Sequence, residues 1–118
     1  MSRILTVDDD LYILELYRGV LEEAGHALRT AEDAAGALVV YQEFHPELVI
    51  LGFDIPGGGG MKVYDRLRKI LMVDIPVIFM TGTEEGSGPV LLDPRVRVMH
   101  KPIDQALLLG NISRLLAG

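Results

Sequence analysis

Three consecutive carboxylates, Asp8, Asp9 and Asp10, follow directly on the apolar run Ile4-Leu5-Thr6-Val7. A run of this composition reads as a central parallel strand. Acids grouped where such a strand ends repel one another and need compensation. A hard divalent cation held by oxygens, Mg²⁺ above all, supplies it. Asp10 also stands where it would cap the helix that follows. Thr81 comes just after a second apolar run, Pro76 to Met80, and Lys101-Pro102 just after a third, Arg95 to Met99.

The elements that must position these residues alternate along the chain. Arg3–Val7 is the first strand. Leu11, Leu14, Leu16, Tyr17, Val20, Leu21 and Ala24 recur at helical spacing, and Gly25 stops that helix. Ala27–Thr30 is a short second strand, and Asp33 caps a helix reaching Phe44. Leu48–Leu51 is a third, wholly apolar strand. Pro56 and Gly57 to Gly60 form a loop before a helix from Met61 to Leu71. The last helix runs from Ile103 to Leu116. Alternating strands and helices imply a parallel sheet covered on both faces, joined by right-handed crossovers. Ligands of such sheets bind outside the carboxyl ends of the strands. There lie Asp8, Asp9 and Asp10, then Gly52, Phe53 and Asp54, then Thr81 and Gly82, then Lys101.

The bulk composition narrows the classes. The 118 residues fit one domain, 1–118. A net charge of -6, with Lys and Arg scattered, argues against nucleic-acid binding. The group Lys62, Arg66, Arg68 and Lys69 reads as a solvated helix face. Without cysteine there is no disulfide frame and no thiolate site, as in a reducing cytoplasmic setting. No apolar run approaches the roughly 18 residues of a membrane span, and no signal peptide is visible.

Together, Val7-Asp8-Asp9, Leu48-Val49-Ile50-Leu51 with Ile55-Pro56 and Gly60, Val77-Ile78-Phe79-Met80-Thr81-Gly82, and Lys101-Pro102 resemble the receiver domain of two-component response regulators. The resemblance covers essentially the whole chain. It implies a three-layer, flavodoxin-like (βα)5 sandwich with strand order 2-1-3-4-5, and a sensor histidine kinase or other signalling protein as partner. It implies metal contacts from Asp9 directly, from Asp8 through water, and from the backbone carbonyl of Asp54. Thr81 would donate to a phosphoryl oxygen, and Lys101 would pair with the acids and the phosphate. A cis Lys101–Pro102 bond is implied as well.

The chain departs from that pattern where the chemistry is centred. The family's phosphoryl acceptor, an Asp at the end of the third strand, is Gly52 here. Glycine can neither attack a phosphohistidine nor supply a carboxylate to a metal. Mg²⁺ binding is therefore expected to be weak or lost, and no catalytic residue is assigned. The aromatic switch position is Val98, and Gly86 to Pro94 breaks up the fourth helix, expected to be shortened or irregular. These features point to a pseudo-receiver that acts by protein–protein interaction and is not an enzyme. The alternatives are a conventional receiver carrying an introduced Asp-to-Gly change, and a phosphohydrolase of haloacid-dehalogenase type built on Asp8, Asp10, Thr81 and Lys101. Val98 and the altered loop favour a natural variant. In the last helix, Leu108 or Leu109 is expected to join a dimer or partner surface.

Overall fold

The structure, a computed structural model, describes residues 2–82 and 93–118. Five parallel strands, β1 (Arg3–Val7), β2 (Ala27–Ala31), β3 (Leu48–Gly52), β4 (Val77–Thr81) and β5 (Val96–His100), form one sheet in the order β2-β1-β3-β4-β5. The helices are α1 (Leu11–Glu23), α2 (Ala34–Phe44), α3 (Gly59–Asp65) and α4 (Gln105–Ala117), and a π-helical turn at Arg66–Ile70 continues α3. This is the flavodoxin-like sandwich that the sequence implies. The expected irregular fourth helix falls at 83–92, outside the described residues.

Alternation along the strands sorts the core into two halves. Leu5, Val7, Leu51, Val77 and Phe79 pack with Ala34, Ala37, Val63 and Leu67 of α2 and α3. Ile4, Ile50, Ile78, Met80 and Met99 pack with Tyr17 and Leu21 of α1 and with Leu108 and Ile112 of α4. Both faces of the sheet are therefore covered, and β3 and β4 are buried throughout.

Aspartates set the helix starts. Asp10 accepts the N–H of Tyr12, Asp33 that of Gly36, and Asp104 that of Leu107. At the other end of α2, His45 adopts the left-handed conformation, φ 52°, usual for glycine at a helix stop. The Gly57–Gly60 run turns its backbone inward: Gly59 N–H bonds to the Ile55 carbonyl and Gly60 N–H to the Phe53 carbonyl. Those groups serve the turn itself. The Ala34 N–H reaches the Pro56 carbonyl at 3.0 Å and ties the same loop to α2.

Two sequence expectations are corrected here. Leu108 is fully buried and completes the core, Leu109 is partly buried, and it is Leu107 that is exposed on α4. Lys62, Arg66 and Lys69 do form a solvated face, but the π-helical turn carries Arg68 inward, where its guanidinium bonds to Asp93 and to the Val73 carbonyl.

Gly60 is a position where only glycine fits. A Cβ there would lie 2.4 Å from the Gly52 carbonyl oxygen and 3.2 Å from the Phe79 ring. The close approach of α3 to the end of β3 depends on it. Gly60→Ala should cost about 2–3 kcal/mol of stability through overpacking against backbone. Gly110, inside α4 with open space around it, should behave oppositely. Gly110→Ala should gain about 0.5–1 kcal/mol. Urea denaturation of the two variants checks both signs.

Candidate functional site

Backbone hydrogen bonds continue the sheet one step beyond its strands and gather the predicted residues. Asp8 N–H reaches the Ala31 carbonyl, Phe53 N–H the Met80 carbonyl, and Lys101 N–H the Thr81 carbonyl at 2.8 Å. Asp8, Gly52, Thr81 and Lys101 therefore end neighbouring strands on one edge. The Lys101–Pro102 bond is cis, as the resemblance implies.

Asp8 is the centre of this edge. It is 1% exposed, and its Oδ1 accepts the Asp10 N–H at 2.9 Å. Lys101 Nζ stands 3.1 Å from Oδ2, with its side chain about two-thirds buried. The ammonium approaches off the hydrogen-bonding directions, so among the described residues Oδ2 has a charge partner and no hydrogen bond. A buried carboxylate without an opposite charge would be strongly unfavourable, and Lys101 supplies that charge from within the chain.

The other sequence-predicted residues divide. Thr81 is buried beside Lys101. Asp9 and Asp54 are exposed. Among the described residues, no three acidic or imidazole side chains converge closely enough to hold a metal ion. Val98 is half-buried and packs against the α2–α3 half of the core.

Gly52 ends β3 beside Asp8. A Cβ on Gly52 would sit 3.1 Å from Asp8 Oδ2, 3.1 Å from Ile55 Cγ2 and 3.2 Å from the Val7 carbonyl oxygen. The neighbours stand a few tenths of an ångström too close for a side chain to enter without their giving way.

A second polar cluster, at the opposite edge of the sheet, went unseen in the sequence. The Tyr64 hydroxyl donates to Asp93 Oδ2, Arg68 Nε donates to the same oxygen at 2.9 Å, and the Arg95 N–H donates to Oδ1 at 2.9 Å. Arg68 also stacks over the Tyr64 ring at 4.9 Å. The only local signal was the unusual Asp93-Pro94-Arg95 ahead of β5; nothing in residue spacing connects it to Tyr64 and Arg68.

With this geometry in hand, the comparisons with known proteins fall into place. The sequence profile of the response regulator receiver domain matches residues 4–113. The chain belongs to that family, whose members serve two-component signalling. It is 29% identical over 121 residues to Protein PilH of Pseudomonas aeruginosa, covering both chains completely. It is 37% identical over 88 residues to the phosphate regulon transcriptional regulatory protein PhoB of the same organism, spanning 74% of this chain and 38% of that one. The chain thus covers well under half the length of PhoB. Among solved structures, the receiver domain of NtrX from Brucella abortus aligns with TM-score 0.83 at 30% identity, over 97% of this chain and 98% of that one. A CheY-like receiver domain protein from Methanospirillum hungatei shares the fold at TM-score 0.87 and 24% identity, over 99% and 94%. Among the described residues, no helix is long and apolar enough to cross a membrane.

Two expected outcomes follow from the two clusters. Lys101→Met should leave Asp8 buried without its charge partner and cost about 1–3 kcal/mol, less than a wholly buried pair because the lysine is partly solvated. Adding Asp8→Asn should recover most of that loss in thermal unfolding. At the opposite edge, burial works to raise the Asp93 carboxyl. The hydrogen bonds from Tyr64, Arg95 and Arg68 outweigh it and hold that carboxyl below the usual value. A carboxylate depressed in the folded state contributes stability that is present above its unfolded pKa and is lost as pH falls through the folded one. Asp93→Asn should therefore cost stability steadily from pH 7 to about pH 5. Below about pH 4 the gap to wild type should close, as pH-dependent urea midpoints would show.

Proposed function

We propose that this chain is a receiver domain that signals by protein–protein interaction without accepting a phosphoryl group itself. The observation that carries this is Gly52. It ends β3, where the family places its acceptor, and Asp8 stands against it with Lys101 as counter-charge. Phosphoryl transfer needs a nucleophile in line with the donor and a cation to offset developing charge. Gly52 offers no nucleophile, and the carboxylates of Asp9 and Asp54 face solvent. Thr81 and Lys101 are then remnants of a phosphoryl site, with Lys101 in the charge-balancing role of a cation. Any Mg²⁺ bound through Asp8, Asp9 and the Asp54 carbonyl would be held weakly.

The partner in this reading is a sensor histidine kinase or another signalling protein in the cytoplasm, and neither nucleic acid nor membrane. Exposed apolar residues support a docking surface. Leu11 and Tyr12 in the first turn of α1 and Leu107 in the first turn of α4 flank the acid edge from the same face of the sheet. Homodimer formation through the α4 face would use Leu107. Val98 in place of the aromatic switch residue fits an output surface that does not change with phosphorylation.

Incubation with acetyl phosphate and Mg²⁺ should leave the intact mass unchanged; stoichiometric labelling of Asp54 or Asp8 would refute the proposal. Gly52→Asp should crowd Asp8 and lower the melting temperature without metal, because two carboxylates then share one pocket. Added Mg²⁺ should restore that loss, while wild type should respond little. A Gly52→Asp variant indifferent to Mg²⁺ would show that the pocket can no longer hold the ion.

A further inference from the structure

Beneath the acid edge, on the side of the sheet facing α1, three buried polar atoms lack hydrogen-bond partners: Thr6 Oγ1, the Tyr17 hydroxyl and Asp8 Oδ2. Their placement is not scattered. Thr6 and Asp8 alternate with Val7, so they share the face of Ile4, which packs under α1 and α4. Tyr17 points into that same half of the core and is wholly buried. Burial, and next the charge of Asp8, push the Tyr17 phenol far above its ordinary value. The hydroxyl thus keeps its proton, and the carboxylate is near enough to act on it.

A buried hydroxyl without a partner forfeits a large share of its hydration energy, and two beside an unpaired carboxylate oxygen would compound that cost. The three atoms are chemically complementary. Tyr17 can donate, Asp8 Oδ2 can only accept, and Thr6 can do either. That is the set of two to four polar partners which an internal water requires. The ring of Tyr17 belongs to the apolar cluster of that half of the core, with Leu14, Leu21, Ile50 and Leu108.

We propose that one ordered water is bound between Tyr17, Thr6 and Asp8 Oδ2, linking the carboxylate at the sheet edge to helix α1. Lys101 faces the same oxygen and balances its charge. The water supplies the hydrogen bond that the lysine's geometry does not. The site gives Tyr17 a task distinct from core filling, and it holds Asp8 in place from below whether or not any ion is bound above.

The sign of a stability change tests this. If the hydroxyls were orphans, removing them would leave the protein unchanged or more stable. Tyr17→Phe and Thr6→Val, each close to isosteric, should instead each lower the folding equilibrium constant by about tenfold in urea titration at neutral pH. Either substitution should release the same water, so the double variant should lose little more than one single variant does. A single variant as stable as wild type, or losses that multiply in the double variant, would overturn the proposal. A high-resolution crystal structure should show the water within hydrogen-bonding distance of all three oxygens. A direct Tyr17–Thr6 bond in its place, or no density there, would overturn it as well.

Discussion

A carboxylate buried at the end of a central strand has to be neutralised, and much of the carboxyl edge of this protein follows from how that is done. Asp8 is closed to solvent, and the compensating charge comes from Lys101, at the end of another strand of the sheet. The parallel register across β3 and β4 sets Val7 level with Val98, so β5 runs two residues past the end of β1 and carries Lys101 to the buried acid. The pairing also requires the chain after β5 to keep the lysine over the edge, where the Lys101 N–H is bonded to the Thr81 carbonyl. The neighbours of Asp8 serve the same end. Asp10 both caps α1 and sends its own N–H back to Asp8, so the start of the helix and the posture of the buried acid are one arrangement.

The opposite edge is held by different means. Asp93 gathers a phenol, a guanidinium and a backbone N–H, and so fastens the last turns of α3 to the start of β5. Hydrogen bonds to a charged group are the stronger kind, and this one is shielded on several sides. At the other end of α3, Gly60 lets the helix come against the β3 carbonyl that a larger residue would push away. Helix α3 is thus fixed at its start by the lack of a side chain and at its finish by a cluster of polar ones. Phe79 lies between, in contact with the Phe53 and Tyr64 rings.

Much of this was legible in the sequence, for physical reasons that can be named. The strands of a doubly covered parallel sheet must be apolar throughout, so Leu48–Leu51 and Val77–Met80 declared themselves. Asp10 and Asp33 announced helix starts because a short side-chain oxygen before a periodic apolar run has that one good use. Residues at strand ends were identifiable because topology alone sends them to one edge. Contacts between distant side chains were not legible. Arg68 looked like one more solvated cation because it stands in sequence among Lys62, Arg66 and Lys69. Only the widened turn, where Leu71 N–H reaches back to Arg66, swings it inward to Asp93. Leu108 and Leu107 were likewise inseparable in a helix apolar on most sides; the choice rests on the roll of α4 against the sheet. The polar character of Tyr17 was hidden by its perfect fit to the apolar period.

The neighbourhood of Gly52 also has a meaning in the currency of heredity. Every glycine codon is one base from an aspartate or a glutamate codon, so a carboxylate at the end of β3 lies one nucleotide away. The surroundings leave almost enough room for one: Asp8, Ile55 and the Val7 carbonyl stand only a few tenths of an ångström inside the space a side chain would need. A bulky residue filling the pocket, or a collapsed β3–α3 turn, would exclude a carboxylate there in one step. As it stands, a side chain at the end of β3 is kept out by a narrow margin, one that small shifts of Asp8 and Ile55 would open.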